Sequence, residues 1–189
     1  MKIINKKVKI LMRPYKSNKI CPTEDIITGG GGFCPTQSIV YRKSIFDNPP
    51  DFYFKAPVGD YPLQMITACK GYAYYIDEVM SVYRKVVSRG TSWSSQNKSV
   101  KSNIEMHANI INMLQDFDLY TNFKYRDAIS KAIRINNFYK IINQQNFKEF
   151  MNKTNLSYFK GLSLRQKILI ILRLVSPAGY LRMIDLKYK

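Results

Sequence analysis

Asp60 stands between Gly59 and Tyr61-Pro62, at a point where a helix is expected to begin. Asp is a favoured N-cap, and Pro is accepted in the first turn because its missing N–H has no helical partner there. A carboxylate held in such a place, within about 3 Å of a hydroxyl, can take the hydroxyl proton as the oxygen attacks. The plainer role is a helix cap, and the two are compatible. Arg84 closes a predicted strand, where it could bind a phosphate or carboxylate through two parallel hydrogen bonds or complete a strand-end ion pair. Trp93 is the only tryptophan and lies in Gly90-Thr91-Ser92-Trp93-Ser94, where it could stack on a sugar ring or pin the loop to the core. Gly29 to Gly32 are consecutive glycines, suited either to a close approach of backbone to substrate or to a plain turn. Without a following Gly-Lys-Ser/Thr they do not form a phosphate loop.

His107 is the only histidine and falls in a predicted helix with no second ligand near it in sequence. That sets aside Ser or Cys triads and zinc centres, both of which need a partnered histidine. Cys21, Cys34 and Cys69 have neither metal-ligand spacing nor a disulfide framework, and a reducing compartment fits them.

The elements that must position these groups follow from patterning. Val8 to Met12 is a short apolar run closed by Arg13-Pro14 and is predicted as a strand. Thr23-Glu24-Asp25 is expected to cap one or two helical turns. Thr36 to Tyr41 is rich in β-formers and is expected to be extended. Asp47-Asn48-Pro49-Pro50 excludes regular structure, and aromatic Phe52 to Phe54 is expected to be mobile. A helix follows from Asp60 to Gly71, then strands at Tyr72–Ile76 and Val79–Tyr83 with Asp77-Glu78 as the corner. Beyond Ser95 the spacing becomes helical: about 98 to 117, 123 to 142 and 147 to 151, then Leu164–Val175 behind a Ser163 cap, and a last helix to the C-terminus. The expected organisation is α/β over 1–95 and helical over 96–189.

GDYPLQMITACKG, then YYIDEVMSVYR, then a loop ending in SWS, with GGGGFCPTQSIVYRKSIF upstream, resembles the C-terminal half of a family-two glycosyltransferase of the GT-A (nucleotide-diphospho-sugar transferase-like) fold. The resemblance covers roughly residues 1 to 95. It implies that Asp60 is the general base for the acceptor hydroxyl, and that Gly30, Gly31, Thr36, Arg84 and Trp93 line the acceptor side. It also implies an N-terminal half, placed before Met1, that holds the nucleotide-sugar donor and a divalent metal, Mg or Mn, on an Asp-x-Asp. This chain itself is then expected to carry no metal or cofactor and to be inactive alone. Val86 stands where many members place a metal-assisting His, and the Gln-x-x-Arg-Trp of processive synthases is missing, which fits single-sugar transfer onto an oligosaccharide or lipid-linked acceptor in cell-surface polysaccharide biosynthesis.

With 189 residues, 46% hydrophobic and 13% aromatic, the chain is long and apolar enough to bury a core. A formal net charge of +17 favours polyanionic partners: an anionic membrane surface, phosphorylated molecules or nucleic acid. Its cations are spread along the chain with no nucleic-acid motif, so a non-catalytic basic nucleic-acid-binding module is the alternative rather than the leading reading. No signal peptide and no spanning segment is predicted, which places the chain in the cytoplasm, either free or peripheral on the inner face of the membrane. Leu164–Val175 shows a polar face only near Arg165, Gln166 and Arg173, a pattern that fits membrane docking or packing against other helices.

Overall fold

The computed structural model describes residues 2–4, 7–9, 12–81 and 99–186. These are mostly helical, with two small antiparallel ribbons: β1 (Lys2–Ile4) with β2 (Lys7–Lys9), and β3 (Lys19–Cys21) with β4 (Ala73–Tyr75). Ile3 faces Val8 in the first and Ile20 faces Tyr74 in the second. The expected α/β balance is thus corrected towards helix. Two short ribbons leave little sheet for helices to cover, so helix-on-helix contact carries most of the burial.

The chain divides into two compact units, residues 1–85 with 112–133 and residues 86–111 with 134–189. In the first unit, α1 (Thr23–Gly29) packs against α3 (Asp60–Cys69). Ile27, Met65 and Ile66 are fully buried between or beneath them. The Tyr61 hydroxyl donates to the Ile27 carbonyl, tying the two helices at a buried point. Thr23, expected to cap α1, instead donates its hydroxyl to the Ala68 carbonyl at 3.3 Å, while Pro22 occupies the cap position. The aromatic 52–54 stretch, expected to be mobile, lies in helix α2 (Asp51–Lys55). Phe52 is buried in ring contact with Phe117 of α4 (Val100–Tyr120), and that burial holds so short a helix in place.

Two strand expectations are corrected as well. Thr36–Ser38 is a 3-10 turn, not a strand. Pro35 fixes the entry, the Ser38 amide and hydroxyl both bond back to the Pro35 carbonyl, and among the described residues no strand pairs with this segment. Val79–Ser81 carry no strand, and the remainder of that run, with Arg84, Val86 and Trp93, lies outside the described residues. Asp77 is not merely a corner. Its carboxylate takes Nε and Nη2 of Arg13 and the hydroxyl of Tyr75, while its amide donates to the Asn18 side chain. The Arg13 guanidinium holds the Asp77 carboxyl below its ordinary pKa.

In the second unit the helices are the C-terminal part of α5 (Arg126–Asn143) from residue 134, α6 (Phe147–Phe150), α7 (Lys153–Lys160), α8 (Leu164–Val175) and α9 (Pro177–Leu186), with the start of α4. Their core is Phe138, Ile141, Ile142, Phe150, Ile170 and Leu174. The Ser163 expectation is met in full: its hydroxyl accepts from the Gln166 amide, and the Gln166 side chain returns to the Ser163 backbone N–H, forming a capping box.

Candidate functional site

Asp60 is the first residue of α3 rather than its cap. Gly59 already has helical torsions, φ −85° and ψ −30°, and Asp60 Oδ1 accepts from the adjacent Tyr61 amide at 2.8 Å instead of reaching a later one. Oδ2 accepts from the Thr36 hydroxyl at 3.0 Å. Both carboxylate oxygens are thereby fixed, each keeping a lone pair free. The side chain is half-buried.

Gly31 lies against the same group: a Cβ added there would sit 3.8 Å from Asp60 Oδ1. Gly30 has φ 64° and ψ −163°, a region that only glycine occupies freely, and this reversal swings the chain from α1 into the 3-10 turn Gly30–Gly32. Gly30→Ala is expected to lower stability by about 1–3 kcal/mol in urea unfolding. Gly32→Ala has open space and no positive φ, and is expected to change little. The structure therefore brings Gly31, Thr36 and Asp60 into one cluster with Gly30 beside it.

Sequence reasoning gave no site role to Gln64, Cys34, Tyr41, Phe46 or Tyr53. Gln64, one turn after Asp60, donates to the Cys34 carbonyl at 3.3 Å, while its Oε1 is buried with no donor among the described residues. Burial, with the Asp60 charge adding to it, pushes the Cys34 thiol up to about 11, so it stays protonated near neutral pH and is no nucleophile. Tyr41, Phe46 and Tyr53 form a row of edge-to-face rings. An open pocket of about 470 Å³ is lined by Tyr41, Lys43, Phe46 and Asp47. The Tyr53 hydroxyl comes within 3.8 Å of where a Gly59 Cβ would be, so the row reaches the residue before Asp60. The density of aromatics from 41 to 54 was the available signal.

No family model, curated protein or solved structure matches this chain. Among the described residues no group of three or more His, Cys, Asp or Glu side chains could hold a metal ion. No helix among them is long and apolar enough to cross a membrane.

The second unit holds a polar cluster of a different kind. Arg173 on α8 donates through Nε to Asn143 at 2.8 Å and through Nη2 to Asn103 at 3.3 Å, with its guanidinium over the Tyr180 ring. One side chain thus joins α4, α5 and α8, and it points inward rather than joining the basic surface expected from the sequence. His107 stacks on Tyr139, and its Nδ1 lies 3.0 Å from Asn136 Oδ1. Burial, with the nearby Arg173 charge, lowers the His107 pKa, opposed by the Asn136 bond. A base whose folded pKa is depressed binds its proton more readily when unfolded. Stability is therefore lost as pH falls below the unfolded value of about 6.5. The unfolding midpoint is expected to drop just below that pH, and His107→Gln to flatten the drop, read as melting temperature against pH.

Proposed function

We propose that residues 1–95 form the acceptor side of a sugar transferase of the family-two type, with Asp60 as general base. The observation that carries this reading is the Thr36–Asp60 hydrogen bond with Gly31 alongside. Residues far apart in sequence, each expected on the acceptor side, meet around one carboxylate. In the proposed reaction Asp60 takes the proton of an acceptor hydroxyl, and that oxygen bonds to the anomeric carbon of the donor sugar. The carbon–oxygen bond to the nucleotide diphosphate breaks, with its electron pair leaving on phosphate. Thr36 orients the carboxylate, and the Gly30–Gly31 backbone leaves room for a sugar ring. The rings of Tyr41, Phe46 and Tyr53 supply apolar faces of the type that saccharides stack on.

The donor nucleotide, and the Mg or Mn ion that would neutralise its phosphates, are assigned to the N-terminal half that the resemblance implies. This chain alone is proposed to bind acceptor without transferring sugar. The test is a titration of isotope-labelled chain with a panel of cell-surface-type oligosaccharides. Amide shifts at Gly31, Thr36 and Tyr61 are expected for at least one of them, and a panel that leaves all three unmoved counts against the assignment.

The alternative, a basic nucleic-acid-binding module, draws on the +17 charge alone. It calls for binding to random DNA whose log affinity falls steeply with log salt.

A further inference from the structure

Helix α8 is apolar on two faces, and only one of them is covered. Ile170 and Leu174 are packed into the core of the second unit. On the other side Leu164, Ile168, Ile171, Leu172 and Val175 are 75, 51, 48, 43 and 63% exposed. Their spacing of i, i+4, i+7, i+8 and i+11 makes a single stripe along the whole helix. At about 100° per residue, Arg165 falls on one border of that stripe, next to Leu172, and Lys167 on the other, next to Ile171. Arg173, the third cation of the helix, is turned inward to Asn143 and Asn103 and leaves the stripe undivided.

A continuous exposed stripe of this kind marks a surface that something covers. The charges around it identify the partner. Between Glu149 and Asp185 the chain has no Asp or Glu and six Lys or Arg, of which five remain once the inward-turned Arg173 is set aside. A protein interface ordinarily mixes signs at its rim, whereas an anionic lipid surface calls for one sign only. We propose that the Leu164–Val175 stripe lies in the headgroup region of an anionic bilayer, with the helix parallel to the membrane. Leu164, Ile168 and Ile171 dip into the acyl boundary, and Arg165 and Lys167 rise along either side to lipid phosphates. The capping box keeps the first turn formed before contact, so the stripe meets the surface ready-made. The inference is independent of the proposed sugar chemistry, since no residue of the Asp60 cluster enters it.

The test is flotation of the full chain with vesicles of phosphatidylglycerol and phosphatidylcholine, and with vesicles of phosphatidylcholine alone. Flotation with the anionic vesicles is expected, weakened by salt and weak or absent with the neutral ones. Ile168→Asp with Ile171→Asp is expected to lower vesicle affinity at least about tenfold, because a carboxylate replaces an aliphatic group at the boundary. Arg165→Glu with Lys167→Glu is expected to weaken anionic binding while leaving the apolar stripe intact. All four positions lie outside the buried core, and an unchanged far-UV spectrum and melting temperature check that the variants fold. Failure of the wild-type chain to float with anionic vesicles overturns the proposal, as does equal binding to neutral ones. A wild-type dimer in sedimentation that the Ile168/Ile171 variant turns into monomer would overturn it too, by showing a second copy on the stripe.

Discussion

On the proposed general-base role, Asp60→Asn is expected to slow sugar transfer sharply while leaving the fold and acceptor binding in place. With the donor-binding half supplied, kcat should fall by about 10²- to 10⁴-fold, the usual contribution of a positioned general base. Asn matches Asp in shape, and its Oδ1 can still accept from the Tyr61 amide, so the start of α3 is not disturbed. What the amide lacks is a lone pair basic enough to take a hydroxyl proton. KM for the acceptor is therefore expected to stay close to wild type, the pattern of an interaction made chiefly in the transition state. A variant that turns over like the wild type would remove Asp60 from the chemistry and leave it a structural residue. A variant that loses acceptor binding and turnover together would point to a binding role instead.

Phe117→Ala is expected to destabilise the protein by about 3–5 kcal/mol in urea unfolding of the full chain. Its ring is fully buried and meets Phe52, Tyr120 and Tyr125 with centroid separations of 6.2, 6.3 and 6.4 Å. Removing it deletes apolar burial, opens a cavity beside the Phe52, Tyr120 and Tyr125 rings, and unseats α2, whose packing on α4 includes the Phe52 contact. Aromatic pairs add about 0.5–1.5 kcal/mol beyond area alone. Leu119→Ala, two residues on and 61% exposed, provides the comparison and is expected to stay within about 0.5 kcal/mol. Equal effects at the two positions would mean that the ring cluster does not hold the first unit together.

Helices with their own start signals were legible from residue types. The Ser163 box, the periodic run behind Val100 and the one behind Arg126 all lie within a few residues of where they were expected. The short helix Lys153–Lys160 was missed although it too begins at a local signal, Asn152, whose side chain accepts from the Thr154 amide. Extended segments were the least legible. Thr36–Tyr41 has strand-forming residues, but a strand exists only when a second chain segment supplies its ladder, and propensity cannot say whether one is near.

What the sequence by itself determined is the helical content of the C-terminal region, the Ser163 cap and the strong positive charge. These depend on residue type and on neighbours within a turn or two. Tertiary structure decided the rest. It set the Thr36 hydroxyl against the Asp60 carboxylate, placed Gly31 beside it, turned Arg173 inward to Asn103 and Asn143, and left one side of α8 bare. Each of those outcomes joins groups tens of residues apart or depends on which of two similar faces the core covers. No local preference encodes such a choice, because it is settled by the packing of whole elements.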